Sequence, residues 1–168
     1  RSERFGLKTP RFFLESKRCF TQETINQIPY LIRDAFGELD ICDLSARCIP
    51  MHYVMKDCIE RALGVPFYFT LGYFTLGNKD VYLQTEESLK QQIEDGVNPF
   101  SVNLHAWLTS SSLEILDVTL PTTIAEINHD PRTMGGIITK HYSDLSEDLA
   151  YHPMLVGVDY LKKLGFNF

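Results

Sequence analysis

The sequence predicts an α+β protein in which an antiparallel β-sheet packs against a helix that carries Cys48. Three observations support this class. Apolar residues recur at helical spacing in the first third of the chain. Strand-like aromatic and aliphatic runs follow, separated by turns that contain glycine or asparagine. Two further strand-like runs then flank the serine triplet Ser110–Ser112, which is the pattern of a β-hairpin.

Two helices are predicted in the N-terminal part of the chain. The first covers Thr21–Phe36, with the threonine as its cap, and Pro29 can kink it or divide it. The second is capped by serine and covers Ser45–Ala62, with Pro50 in or near its first turn. Cys48 therefore falls at or near the N-terminus of a buried helix.

Strands and short helices alternate in the rest of the chain, separated by turn-forming residues. The predicted elements are strands over 65–74 and 81–83, a helix capped at Thr85 over 85–95, hairpin strands over 101–109 and 113–119, a helix over 123–127, a strand over 136–141 and a helix over 157–164.

The composition describes an ordinary globular chain of 168 residues, with 44% hydrophobic and 23% charged residues. One domain is expected over 1–168, made of an N-terminal helical part (1–44), a core (45–120) and a C-terminal extension (121–168). The chain starts at Arg1 rather than at methionine, so we expect an excised piece whose partners can include other domains of a longer protein.

Charge and cysteine usage exclude several classes of function. The net charge of −6 argues against nucleic acid as a partner, because phosphate binding needs a clustered positive surface. No membrane span and no signal peptide are found in the sequence. The four cysteines lack metal-site spacing. We therefore predict neither a metal nor a cofactor, and favour a reducing, cytoplasmic environment, with delivery as a secreted effector as the alternative.

Cys48, His105 and Asp117 carry the candidate chemistry. A hairpin register that pairs Thr109 with Leu113 also sets His105 opposite Asp117, with about 5 Å between opposed Cβ atoms. A neighbouring carboxylate orients a histidine and stabilises the imidazolium that forms when the ring accepts a proton from a nucleophile. A helix N-terminus favours a thiolate, so Cys48 is the predicted nucleophile.

Simpler structural interpretations stand beside this one. Cys48 can be an inert buried thiol, and Cys58 on the same helix is a rival nucleophile in a mid-helix position. The pair of His105 and Asp117 can be structural, and Trp107 is more readily a packing residue than a substrate contact. The remaining histidines have no comparable partners in the sequence and are predicted to be structural: His52, His129, His141 and His152.

These residues resemble the transglutaminase-like superfamily of papain-fold cysteine enzymes over about 45–120. The resemblance rests on an ordered set of motifs: Cys48 at a helix start, Arg61–Pro66, Leu71–Tyr73, His105–Trp107 and Asp117–Thr119. The chain departs from the family where Ala46 stands in place of a frequent glycine. The spacing from Cys48 to Gly64 is also about one residue longer than usual.

The resemblance implies a papain-like α+β core with Cys48 as nucleophile, His105 as general base and acid, and Asp117 as the orienting residue. It implies attack on glutamine carboxamides or peptide amides, through a thioester that water or an amine resolves. The expected activities are those of a transglutaminase, a deamidase or a protease, with a protein or peptide as substrate. Trp107 and Tyr73 are candidate substrate-binding residues.

Further features of this function are expected with less detail. The loops over 75–78 and 97–100 are expected to shape the acceptor pocket. A catalytic domain of a bacterial effector or toxin is one setting for such a chain. An acyltransferase similar to the arylamine N-acetyltransferases and a non-enzymatic binding module that keeps the fold are the alternatives.

Overall fold

A computed structural model describes residues 2–40, 44–96 and 102–167. Within these residues the chain is an α+β protein with antiparallel strand pairs, which confirms the predicted class. The papain-like core stays a prediction. The helices are α1 (Gln22–Phe36), α2 (Cys48–Leu63), α3 (Glu86–Asp95), α4 (Leu120–Ile127) and α5 (Asp159–Lys163). The strands are β1 (Phe67–Leu76), β2 (Lys79–Val81), β3 (His105–Ser110), β4 (Glu114–Asp117), β5 (Ile138–His141) and β6 (Leu149–Val156).

The chain divides into two compact units. The first unit comprises Arg1–Arg11, Thr70–His105 and Leu145–Phe168, and the second comprises Phe12–Phe69 and Ala106–Asp144. The single domain expected over 1–168, with its three parts, stays a prediction. None of the helices in the described part of the chain is both long and apolar enough to cross a membrane.

In the first unit, β1 pairs with both β2 and β6, and Phe74 on β1 opposes Tyr151 on β6. No strand is predicted at β6, because Pro153 interrupts the pattern there. The register shifts between Leu71 and Gly72, opposite the proline, and such a bulge is a place where a strand accepts proline.

The caps of α1 and α3 lie where the sequence predicts them. The Thr21 side chain accepts from the Thr24 N–H, and the Thr85 side chain accepts from the Ser88 N–H at 3.0 Å. Pro29 lies inside α1, which continues as one helix to Phe36. Local side-chain chemistry therefore sets both starts, as the sequence indicates.

The start of α2 differs from the prediction, because Ser45 does not cap it. Arg47 is the N-cap residue and its side chain makes no capping hydrogen bond. Ala46 has a φ of 55°, in the left-handed region, and the Arg47 N–H donates to the Leu44 carbonyl at 3.4 Å. The chain therefore turns before the helix begins at Cys48.

The hairpin of β3 and β4 forms around a loop one residue further along than predicted. The Leu113 N–H donates to the Ser110 carbonyl at 3.0 Å, and Leu113 has a φ of 62°. These are the features of a three-residue loop in which a type I turn is followed by a left-handed residue. Thr109 therefore opposes Ile115 rather than Leu113.

The new register changes which residue opposes Asp117. Extension of the pairing of Leu108 with Leu116 sets Trp107 opposite Asp117. The predicted pairing of His105 and Asp117 as directly opposed residues is therefore wrong. The physical reason is the left-handed residue that closes the loop. Leu113 takes this conformation, and a leucine, unlike a glycine, does not indicate it in the sequence.

In the second unit, β3, β4 and β5 follow one another in strand order, so β5 is an edge strand among the described residues. Ile115 on β4 opposes Lys140 on β5, and Leu116 opposes Thr139. The strand predicted over 136–141 and the helix predicted over 123–127 are both present, with α4 beginning three residues earlier.

Candidate active site

Cys48 is the first residue of α2 and its side chain lies in a half-buried position. The first turn of the helix contains no acidic residue, and the preceding residue is Arg47. Pro50 is the third residue of the helix, where its missing N–H breaks no helical hydrogen bond. The first turn of α2 therefore carries no carboxylate side chain that would compete for its main-chain N–H groups.

His52, one turn further along α2, holds the main chain at Cys48. Its Nδ1 lies 2.8 Å from the Cys48 carbonyl oxygen, and its Nε2 accepts from the Val118 N–H at 3.1 Å. Since Nε2 accepts, the hydrogen bonds assign the neutral tautomer with the proton on Nδ1. The His52 side chain is fully buried and both ring nitrogens are engaged.

Asp117 lies at the end of β4, and its carboxylate holds the start of α4. Its Oδ1 accepts from the Thr119 N–H at 2.9 Å, the Thr119 hydroxyl at 3.1 Å and the Leu120 N–H at 3.0 Å. The residue is fully buried. Because all three bonds reach one oxygen, they fix the orientation of the carboxylate.

His52 brings the segments of Cys48 and Asp117 together within the second unit. Its Nε2 lies 3.5 Å from Asp117 Oδ1, and the neutral ring makes this a packing contact rather than an ion pair. The expectation that His52 has no comparable partner is wrong, and its structural role stays a prediction. Because His52 lies four residues after Cys48, one helical turn away, the sequence could have indicated their contact. It could not indicate the contact of His52 with Asp117, which is distant in sequence.

His105 begins β3 and belongs to the first unit, where three aromatic rings of that unit surround it. Its ring centroid lies 5.4 Å from that of Phe74 in an edge-on arrangement, 6.3 Å from Tyr82 and 6.2 Å from Tyr151. The side chain is 2% exposed. These contacts hold the ring in an aromatic environment of the first unit.

The two predicted substrate-binding residues have different surroundings. Trp107 is fully buried, as its interpretation as a packing residue predicts. Tyr73 is half-buried and stacks on His152, with ring centroids 4.4 Å apart and an interplanar angle of 13°. The His152 Nε2 lies 2.8 Å from the Thr75 hydroxyl, so this histidine also has partners that the sequence does not indicate.

A second polar cluster in the second unit is not predicted from the sequence. Glu114 is 2% exposed and accepts from the Cys19 N–H at 2.6 Å, the Phe20 N–H at 3.0 Å and the Ser112 hydroxyl at 2.6 Å. Burial acts to raise the pKa of Glu114, but hydrogen bonds from Ser112, Cys19 and Phe20 together outweigh it and lower the pKa. The cluster joins the segment before α1 to the hairpin.

The same cluster affects the Cys19 thiol. Burial, followed by the hydrogen bond and the charge of Glu114, raises the pKa of Cys19 to about 12. Cys19 is therefore a protonated, weakly nucleophilic thiol at neutral pH.

The remaining cysteines and one of the predicted loops lie partly inside and partly outside the described residues. Cys58 lies in the middle of α2, with its Sγ 3.9 Å from the Leu31 carbonyl oxygen. Cys42 and the loop over 97–100 lie outside the described residues. Within the described ranges, the cysteines form no disulfide, and no group of three or more histidine, cysteine and acidic side chains could hold a metal ion.

Comparison with protein-family models, with curated proteins and with solved structures finds no match to this chain. The resemblance to the transglutaminase-like superfamily therefore rests on the sequence motifs.

Proposed function

We propose that this protein is a cysteine-dependent enzyme that transfers or hydrolyses acyl groups at glutamine carboxamides or peptide amides. The observation that carries the proposal is the position of Cys48 as the first residue of α2, with its carbonyl held by His52. Helix N-termini favour negative charge, and a thiolate is the nucleophile in this chemistry.

The proposed reaction has two steps. The Cys48 Sγ attacks the amide carbon while its proton passes to His105, and the leaving ammonia or amine takes that proton as the C–N bond breaks. The resulting thioester is then attacked by water or by an amine, which loses a proton to His105 and regenerates the thiol. The roles of His105 and of Asp117, as the orienting carboxylate, come from the resemblance.

His52 is the histidine nearest to Cys48 in sequence, yet it is a poor candidate for the base. One ring nitrogen accepts from Val118 and the other contacts the Cys48 carbonyl, so neither nitrogen is placed to exchange a proton with a substrate. His52 is therefore not the proposed base, and the assignment of that role to His105 comes from the resemblance.

Main-chain N–H groups at the start of α2 are the proposed donors to the developing oxyanion. The Arg47 side chain has no acceptor atom, so it cannot cap these N–H groups. Pro50 contributes no N–H, which leaves Cys48 and Ile49 as the candidate donors in the first turn.

The proposal is tested by incorporation of a fluorescent primary amine into casein, with ammonia release measured in parallel. Cys48→Ala should lower both rates by about a thousandfold or more, because the covalent intermediate is lost. Cys58→Ala, on the same helix, is the matched control and should retain the activity. Undiminished turnover in Cys48→Ala would refute the proposal, and an acetyl thioester formed from acetyl-CoA would favour the acetyltransferase alternative.

Alkylation by iodoacetamide at neutral pH gives a second test that needs no substrate. Mass spectrometry should find Cys48 modified before Cys58, which lacks the field of a helix N-terminus. Cys19 should react slowest, because its pKa is raised to about 12. Slow modification of Cys48, at the rate of Cys19, would support the non-enzymatic alternative.

A further inference from the structure

A groove lies between α1 and the segment that leads into β5, wholly within the second unit. It has a volume of about 600 Å³, which is in the range of ligand-binding sites. The lining residues are Ile25, Asn26, Pro29, Tyr30, Gly135, Ile137 and Thr139. None of them is charged, so a charged group bound there would lack a partner in the lining.

The wall that leads into β5 is held in place by α4. The Gly135 N–H donates to the Thr122 hydroxyl at 3.0 Å, and the Thr133 hydroxyl donates to the Pro121 carbonyl at 3.1 Å. A Cβ atom on Gly136 would lie 2.9 Å from the main-chain carbonyl oxygen of Thr133 and 3.1 Å from the Pro121 Cβ, so the segment packs closely there. A preformed wall of this kind lowers the entropic cost of binding.

The opposite wall carries polar groups beside apolar surface. Pro29 lies inside α1 and cannot donate to the Ile25 carbonyl, so this carbonyl loses its usual helical partner. The Asn26 amide and the exposed Tyr30 ring follow on the same wall. A lining of mixed polar and apolar surface suits a ligand that is itself a mixture of both, such as a peptide.

The outer edge of β5 supplies main-chain hydrogen-bonding groups beside this groove. The Tyr142 N–H donates to the Leu113 carbonyl at 3.1 Å. This bond shows which residues of β5 turn their main-chain groups toward β4 and which turn them away, because the two directions alternate along an antiparallel strand. The main-chain groups of Ile138 and Lys140 then face β4, and those of Thr139 face the outer edge. Thr139 thus lines the groove and presents its N–H and C=O at an edge strand.

We propose that this edge binds an extended, uncharged polypeptide segment as an added β-strand, with a side chain in the groove. The four residues of β5 span about 13 Å, which suits a short peptide. A stable dimer typically buries about 800 Å² per partner, whereas β5 contributes only four residues. This inference rests on the proposed function: the bound segment is part of the protein substrate.

The test uses the whole chain as Cys48→Ala, so that binding is measured without turnover. The probe is a blocked octapeptide with a valine–glutamine–valine centre, titrated against ¹⁵N-labelled protein and followed by amide exchange. We expect saturable binding with protection of the Thr139 N–H. Replacement of the two valines by aspartate should abolish the binding.

Substitution of Thr139 separates main-chain from side-chain recognition. Thr139→Pro removes an N–H that faces outward, so the pairing with β4 is retained while the Kd rises about tenfold or more. Thr139→Val keeps the N–H and should bind within about twofold of the parent, since each tenfold change needs about 1.4 kcal/mol. Equal binding by the proline and valine variants would overturn the proposal.

A scan of the peptide keeps the test independent of how Thr139→Pro folds. N-methylation at adjacent positions should weaken binding at one and leave the next unchanged, because alternate residues of an added strand face β5. The proposal would be refuted if the peptide did not bind or if the effect of N-methylation did not alternate. It would also be refuted if protection of the Thr139 N–H grew with protein concentration alone, because a second copy of the chain would then be the occupant. Binding to Cys48→Ala, combined with no thioester on Cys48 when the parent protein is incubated with the same peptide, would refute only the proposed function.

Discussion

Asp117 offers the sharpest separation of a structural role from a catalytic one. Three hydrogen bonds reach its Oδ1 at 2.9, 3.0 and 3.1 Å, and the residue is fully buried. In Asp117→Ala the N–H groups of Thr119 and Leu120 lose their acceptor, at about 1–3 kcal/mol each, while the Thr119 hydroxyl can rotate to another partner. We expect the free energy of unfolding to fall by about 3 kcal/mol.

Asp117→Asn keeps an oxygen that can accept the same three bonds. Because hydrogen bonds to a charged acceptor are about twice as strong as neutral ones, we expect this variant to lose only about 1 kcal/mol. If Asp117 orients His105 as proposed, Asp117→Asn should still lower kcat by about a hundredfold or more. The two variants together separate loss of folding from loss of catalysis.

The assay is urea unfolding at pH 7, followed by circular dichroism and analysed with a common m-value. Asp130→Ala is the matched control, because Asp130 also accepts a main-chain N–H, from Arg132, but in a half-buried position where it also pairs with the Arg132 guanidinium. It should cost less than about 1 kcal/mol. Asp117→Ala within about 1 kcal/mol of the parent would refute the structural role, and equal losses in Asp117→Ala and Asp117→Asn would show that charge rather than acceptor geometry matters.

The remaining predictions concern stability. The folded-state pKa of Glu114 is lowered below its ordinary 4.5, so its contribution is present above that pH and is lost as the pH falls through the folded pKa. The urea concentration at the unfolding midpoint should therefore fall in acid, and it should fall less in Glu114→Gln. Glu147→Gln, at an exposed position, is the control. Equal acid profiles for the parent and Glu114→Gln would contradict the reasoning. Ala46→Gly should stabilise the protein by about 0.5 kcal/mol, because a left-handed φ of 55° costs alanine about 1–2 kcal/mol, more than glycine loses in entropy. Destabilisation of Ala46→Gly in the same urea assay would contradict this account.

Local chemistry made some parts of the fold predictable. Thr85 and Gly96 bracket α3 at the predicted positions, because a threonine hydroxyl caps a helix start and a glycine ends a helix at positive φ. Ala46 is informative in the same way. Its φ of 55° lies in the left-handed region, which favours glycine over alanine.

Other parts depend on contacts between residues that are distant in sequence. β6 escapes prediction because Pro153 breaks the strand pattern, and pairing with β1 through a bulge accommodates it. The start of α2 shifted from Ser45 to Cys48 because the turn before it competes with the local cap. Neither outcome can be derived from propensity alone.

The sequence by itself determined the class of the fold, the caps of α1 and α3, and Cys48 as the cysteine at a helix start. Only the tertiary structure decided the hairpin register, through the left-handed Leu113, and the contacts of His52 with Cys48 and Val118. The physical reason is range. Caps and turns involve residues a few positions apart, whereas register and buried polar contacts are selected by packing among segments that the chain order does not bring together.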